Sequence, residues 1–268
     1  MTTRQKVCFG AALFVAPVAI HLLYERVANV FAANAIPFPV PPITLEFREV
    51  LDNVSSRRIS SRRIVAYRAD GAFSETKKSY RKNGEEMQQR RTLRFPAGIK
   101  ITVEDTIKTT TTWRVPDIDA AHWRTASHYN PADDCVTDLN GATSSRFFAR
   151  NEERSGFQAV LIQNRLAPGI DTWHAPSLGC LEVGRIARFR DSAGKESDSS
   201  ELILEQHRMG EPDAALFEVP SDYEEVDPVE ATRRLYTTWA APPIYLDRAM
   251  ADPTLKRMAE AYAKYHAR

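Results

Sequence analysis

The run Ile99-Lys100-Ile101-Thr102-Val103-Glu104 alternates strictly between apolar and polar side chains, the two-residue period of a strand with one face in a core. Residues 43–50 alternate in the same way, and residues 63–68 do so less cleanly. Asp70-Gly71, Asn83-Gly84 and Pro96-Ala97-Gly98 fall between such runs. Asp-Gly and Asn-Gly favour primed hairpin turns, whose two central residues both take a positive φ. Strand therefore follows strand without a crossover helix, which requires antiparallel pairing, because parallel neighbours need a connection of roughly a dozen residues or more. Residues 108–115, with four consecutive threonines and Trp113, add a strand rich in β-branched and aromatic side chains. Further runs cover residues 157–166, 181–190 and 200–209, the last two joined by the hairpin loop Asp191-Ser192-Ala193-Gly194-Lys195.

Residues 117–145 break this pattern. Asp, Asn, Pro and Gly cluster around Tyr129-Asn130-Pro131-Ala132-Asp133-Asp134-Cys135, the composition of a long loop with room for one short helix. Two helices are signalled after the strands. Asp227-Pro228-Val229-Glu230 supplies an N-cap acceptor, a proline at the first helical position and a glutamate at the third, and predicts a helix to about Trp239. Asp252-Pro253 opens the second, in which Leu255, Met258, Ala259 and Tyr262 form one apolar stripe. Strands first and helices last give an α+β class. The expected architecture is a curved antiparallel sheet, half-barrel-like, with a loop-rich insertion and C-terminal helices from about residue 227.

Ahead of the sheet, Arg4 and Lys6 precede an apolar run from Val7 to Leu23, and Ala33-Asn34-Ala35 has the small-x-small pattern of a signal-peptidase site. Residues 1–35 fit a cleaved signal or an uncleaved membrane anchor, and residues 36–42, dense in proline, a stiff linker. Either outcome exports residues 43–268 as a single domain, placing it in the periplasm or at the inner membrane facing the periplasm. In that compartment thiols oxidise. With Cys8 removed or left in the cytoplasm, Cys135 and Cys180 remain as a pair, and their disulfide would pin the loop-rich insertion to the start of a strand.

Charge is segregated: residues 57–114 hold 15 Lys/Arg against 6 Asp/Glu, while residues 196–231 hold 12 Asp/Glu against one Arg. That argues for pairing between the two segments and against a nucleic-acid binder, whose domain would be basic throughout. The cluster Arg57-Arg58-Ile59-Ser60-Ser61-Arg62-Arg63 reads as an exposed strand end whose charges discourage edge pairing. No cofactor loop of the GxxxxGK[ST] or GxGxxG type occurs, nor a GxSxG elbow. The histidines show no i,i+4 pair and the cysteines no CxxC spacing, so no metal site is expected. His174, six residues before Cys180, could serve a thiol nucleophile, but no orienting third group accompanies them and His174 reads as a turn-flanking residue. His122, His128 or His174 with Asp133 would make a hydrolase only by converging in one pocket.

The segment Gly210 to Val226 contains Pro212-Asp213-Ala214-Ala215-Leu216-Phe217-Glu218-Val219-Pro220 and Tyr223, and resembles the PDxxLFxxPxxY closing motif of uncharacterised secreted bacterial proteins. Leu216, Phe217, Val219 and Tyr223 would plug the core as the chain leaves the sheet. In strand order, residues 43–226 also resemble the curved antiparallel sheets of periplasmic lipoprotein carriers and related envelope-stress sensors. That resemblance implies binding and not catalysis, with no catalytic residues and no cofactor. The long insertion with Cys135 and the added C-terminal helices depart from the carriers, so a carrier role does not transfer. The expectation is a noncatalytic envelope protein that binds a lipid or other apolar or amphipathic ligand on its concave sheet face, with Trp113, Trp123 and Trp173 as candidate contacts. The alternatives are a membrane-anchored module that senses or binds an envelope protein partner, and the hydrolase.

Overall fold

The computed structural model describes residues 40–53, 56–115, 147–164, 169–190 and 196–267. Its strands are β1 (Ile43–Asn53), β2 (Ser56–Tyr67), β3 (Phe73–Tyr80), β4 (Glu86–Phe95), β5 (Ile99–Glu104), β6 (Thr109–Arg114), β7 (Phe147–Arg154), β8 (Phe157–Asn164), β9 (Ile170–Ala175), β10 (Leu181–Arg190), β11 (Glu196–Met209) and β12 (Glu224–Glu225). Three helices follow: α1 (Pro228–Thr238), α2 (Pro243–Met250) and α3 (Pro253–His266). All twelve strands form one curved, unclosed sheet in the order β12-β6-β5-β4-β3-β2-β1-β11-β10-β9-β8-β7. Every pairing is antiparallel except that of β12 with β6. The α+β class expected from the sequence is therefore the class observed.

The hairpin turns differ from expectation in one respect. Neither Asp70 nor Asn83 takes a positive φ; only Gly71 and Gly84 do, each at φ 85. Gly71 N donates to Arg68 O at 3.0 Å and Gly84 N to Arg81 O at 3.0 Å, each closing a turn whose left-handed residue is the glycine. This is the longer hairpin loop ending in a glycine bulge, and it leaves Asp70 and Asn83 free to accept from Ala72 N and Glu85 N.

β7, β9 and α2 were not anticipated. His174 is the penultimate residue of β9 and flanks the 3-10 turn Pro176–Leu178 that follows it. The basic cluster at residues 57–63 is likewise inside β2. It is answered by the acidic segment: Arg57 pairs with Glu201 at 3.7 Å, Arg62 with Glu205 at 3.8 Å, and Lys108 with Asp222 at 3.4 Å. The two oppositely charged segments thus meet within one chain. Each such exposed pair contributes about 0–1 kcal/mol, so their weight is in register more than in stability.

The main apolar cluster joins Ile43, Leu45, Phe47, Val65 and Phe73 from the early strands to Leu161, Trp173, Val183, Leu202 and Leu204 from the late ones. Val40, 8% exposed, belongs to it, and Gly210 N donates to Pro42 O at 2.9 Å, so the end of the proline-rich stretch is packed against the sheet. A second cluster packs Phe217 on Ala66 and Ala72, where Ser74 Oγ donates to Leu216 O at 2.6 Å. Phe217 and Leu216 thus close the sheet as expected, and Tyr223 ties down through its hydroxyl, which donates to Asp105 at 2.9 Å. Val219 does not; it is 38% exposed. The N-caps are as predicted, with Asp227 accepting from Val229 N and Glu230 N, and Asp252 from Thr254 N. Among the described residues no helix is long and apolar enough to cross a membrane. The signal or anchor (1–35) and the insertion with Cys135 lie outside the described residues.

Candidate functional site

Directly paired residues share a sheet face, so the register of β1 to β6 assembles three rows on one side of the sheet. The first runs Phe47, Arg63, Lys77, Arg90, Glu104, Thr109. Next comes Leu45, Val65, Glu75, Thr92, Thr102, Thr111. The third is Ile43, Tyr67, Phe73, Arg94, Lys100, Trp113. Beyond β1 the same face continues through Glu49, Leu202, Arg185 and Thr172, with His174 two residues further along β9. The polar positions that an alternating strand would turn to water are here packed together. Glu104, the last polar residue of the strictly alternating run, is 4% exposed.

These charges are organised as pairs over apolar neighbours. Arg63 pairs with Glu75, and its guanidinium lies 5.9 Å from the centre of the Phe47 ring. Arg185 forms a two-pronged pair with Glu182. Arg90 pairs with Glu104, which also accepts from Gln88 at 2.9 Å. Glu49 accepts from Ser61 Oγ at 2.8 Å and Ser200 Oγ at 2.7 Å. Arg94 stands 4.9 Å over Phe73, and Lys100 Nζ 5.0 Å over Trp113.

The environment sets the protonation states. Burial favours the neutral acid at Glu49, but Lys77, the hydroxyls of Ser200 and Ser61, and Arg185 outweigh it and hold the carboxyl below its ordinary range. At Glu75 and Glu182 burial is likewise overcome, chiefly by Arg63 and by Arg185 respectively. Burial pushes the Tyr67 hydroxyl up to about 12, against the pull of Arg63 and Arg94. Burial, then repulsion from Arg94 and Arg90, brings Lys100 down to about 8. Six cations (Arg63, Lys77, Arg90, Arg94, Lys100, Arg185) thus share the face with four carboxylates (Glu49, Glu75, Glu104, Glu182).

Trp113 ends the third row, and Trp173, which pairs with Gly184, packs into the main apolar cluster with Leu45 and Phe47. There Trp173 Nε1 donates to Glu152 at 2.9 Å and Arg154 stacks 4.5 Å from its ring. Trp123 lies outside the described residues, as do Cys135, His122, His128 and Asp133. Cys180 is 1% exposed. His174 Nδ1 donates to the Cys180 carbonyl oxygen at 2.9 Å, a backbone contact and not one with the sulfur. Burial lowers the His174 pKa, which keeps the ring neutral. No group of His, Cys, Asp or Glu suited to a metal ion occurs among the described residues. Arg63 was singled out in the sequence only as part of a basic strand end; Glu75 and Lys77 lie in a polar run, and Arg94 and Lys100 alternate with apolar residues and read as solvent-facing.

Fold and face together define a class: an open, curved antiparallel sheet with a face both apolar and charged. No protein-family model and no curated protein matches the chain. Among solved structures, a LolA superfamily protein from Nitrosomonas europaea matches at 10% identity and a TM-score of 0.26, over 69% of this chain and 94% of that one. A domain named for outer membrane lipoprotein sorting, from Vibrio parahaemolyticus, matches at 8% and 0.27, over 72% and 95%. A DUF1329 family protein from Desulfovibrio piger matches at 10% and 0.19, over 73% and 95%. The closing motif corresponds to no family model.

Proposed function

We propose that this chain is a noncatalytic exported protein that binds an amphipathic ligand on the sheet face bearing Arg63 and Glu75. The observation that carries the reading is the placement of Leu45, Phe47, Val65 and Phe73 in the same rows as Lys77, Arg94 and Lys100. A face that served only as core would be more stable with apolar residues of similar volume, because desolvating paired charges costs about as much as the pairing returns. The half-buried cations match a ligand's polar end, and its apolar body would meet the side chains packed beside them only as that packing opens.

The proposed route is export to the bacterial envelope, on the strength of the apolar run after Arg4 and Lys6. A Cys135–Cys180 disulfide belongs to the same reading. Its support is the burial of Cys180 at the start of β10 and the oxidising compartment that the export reading implies. Labelling of Cys180 by a thiol reagent without prior reduction would contradict the pairing. Sequencing the mature N-terminus distinguishes a cleaved signal from an anchor.

Ligand binding is tested on the full chain purified from bacteria, by native mass spectrometry for a captured acyl compound and by titration with oleate and monoolein. The proposal expects a captured or titratable ligand. If none is captured and neither probe binds, the reading fails.

A further inference from the structure

Lys100 and Arg94 face each other directly across β4 and β5. Like charges in opposed positions repel, and removal from water strengthens the repulsion. Among the described residues no carboxylate makes an ion pair with Lys100; its one close stabilising neighbour is the Trp113 ring. Glu75 acts on it only at a distance and is committed to Arg63. The aromatic rings under Lys100 and Arg94 offset a part of this cost, about 0.5–2 kcal/mol each. An anion in front of the two cations would turn the repulsion into a bridge.

We propose that Lys100, with Arg94 beside it and Trp113 beneath it, receives the anionic end of the ligand, a carboxylate or phosphate. This rests on the amphipathic-ligand reading above and specifies its chemistry. A carboxylate or phosphate oxygen accepts charge-assisted hydrogen bonds from the ammonium and the guanidinium, which are roughly twice as strong as neutral ones. Trp113 fixes the height of the ammonium above the sheet.

Oleate and monoolein carry the same acyl chain with an anionic and a neutral end, and are titrated against wild type, Lys100→Met and Lys100→Arg. Wild type is expected to prefer oleate by about tenfold or more, the scale of one charge-assisted contact. Lys100→Met should abolish the preference, and Lys100→Arg should keep it. Inorganic phosphate, followed by its effect on thermal melting, separates a free anion from a lipid head: stabilisation that Lys100→Met removes supports the same receptor with a free anion as its source. Equal affinity of wild type for the two lipids, with no phosphate effect, overturns the inference and leaves the amphipathic-ligand reading standing. So does a preference for oleate that survives in Lys100→Met. Absence of any binding by either lipid or by phosphate overturns both.

Discussion

Gly184 sits in β10 under the side chain of Arg154, and its replacement by alanine is opposed by that side chain alone. A Cβ there would stand 2.9 Å from Arg154 Nε and 3.2 Å from its Cγ, too close for either. The backbone would accept alanine, since Gly184 is not among the residues with positive φ. Arg154 is held from two directions, donating to Glu201 at 2.6 Å and stacking 4.5 Å from Trp173, so it cannot step aside without loss. A charge-assisted hydrogen bond contributes about 1.5–3 kcal/mol, with the lower end applying because roughly a quarter of each side chain is exposed. The stacking adds about 0.5–1 kcal/mol. Relief of the glycine's backbone entropy returns about 0.5–1 kcal/mol. Gly184→Ala should therefore destabilise by about 1–2 kcal/mol in urea unfolding, with the denaturant slope unchanged. In an Arg154→Ala background nothing meets the new methyl, and the same substitution should stabilise by about 0.5–1 kcal/mol. Equal destabilisation in both backgrounds would refute the reasoning.

Asp227→Ala removes the acceptor for Val229 N and Glu230 N and should cost about 1 kcal/mol, while Asp227→Asn should keep most of it; thermal melting of the two variants decides. Leu93 is fully buried, and Leu93→Ala should cost about 2–5 kcal/mol by urea unfolding, a loss below 1 kcal/mol arguing against a packed face at that point. Burial, with Arg185 adding to it, holds His174 below the usual imidazole range against Glu182 and the Cys180 carbonyl. The unfolded chain then binds that proton more readily, so the contribution is complete above about pH 6.5 and is lost as the pH falls below it. His174→Gln, which can still donate to the Cys180 carbonyl, should flatten the stability profile between about pH 5 and 7. An unchanged slope there would assign the pH dependence to other groups.

The strand pattern was legible wherever one face is apolar and the other polar. Ile99, Ile101 and Val103 announce β5, and residues 181–190 were bounded as the structure bounds β10. β9 escaped because Asp171, Trp173 and Ala175 share one face while Thr172 and His174 share the other, so neither reads as apolar. β7, Phe147–Arg154, ends in a run of charged and amide side chains without alternation, and its strand state comes from pairing with β8. α2 lacks an acidic or hydroxyl cap; only Pro243 marks its start. The candidate site was hidden for a related reason. Periodicity tells which residues share a face but not which face is packed, and on the polar face of β5 Glu104 is buried while Lys100 and Thr102 are half-buried. The positive φ at Gly71 and Gly84 was foreseeable from their identity, whereas the non-positive φ at Asp70 and Asn83 depended on how the loops close.

β1 lies between β2, its neighbour in sequence, and β11, so that Ile43 faces both Tyr67 and Met209. A chain made from its N-terminus can zip β1 through β6 as local hairpins, yet one side of β1 stays open until residues 196–209 exist. During that interval Leu45 and Phe47 belong to an edge strand with unpaired backbone groups, the arrangement that recruits foreign strands. Non-local pairing of this kind also slows folding, because the connecting chain must be gathered before the contacts return anything. The vulnerable moment in the life of this protein is therefore its synthesis, and fragments that end before residue 196 should be the ones that aggregate.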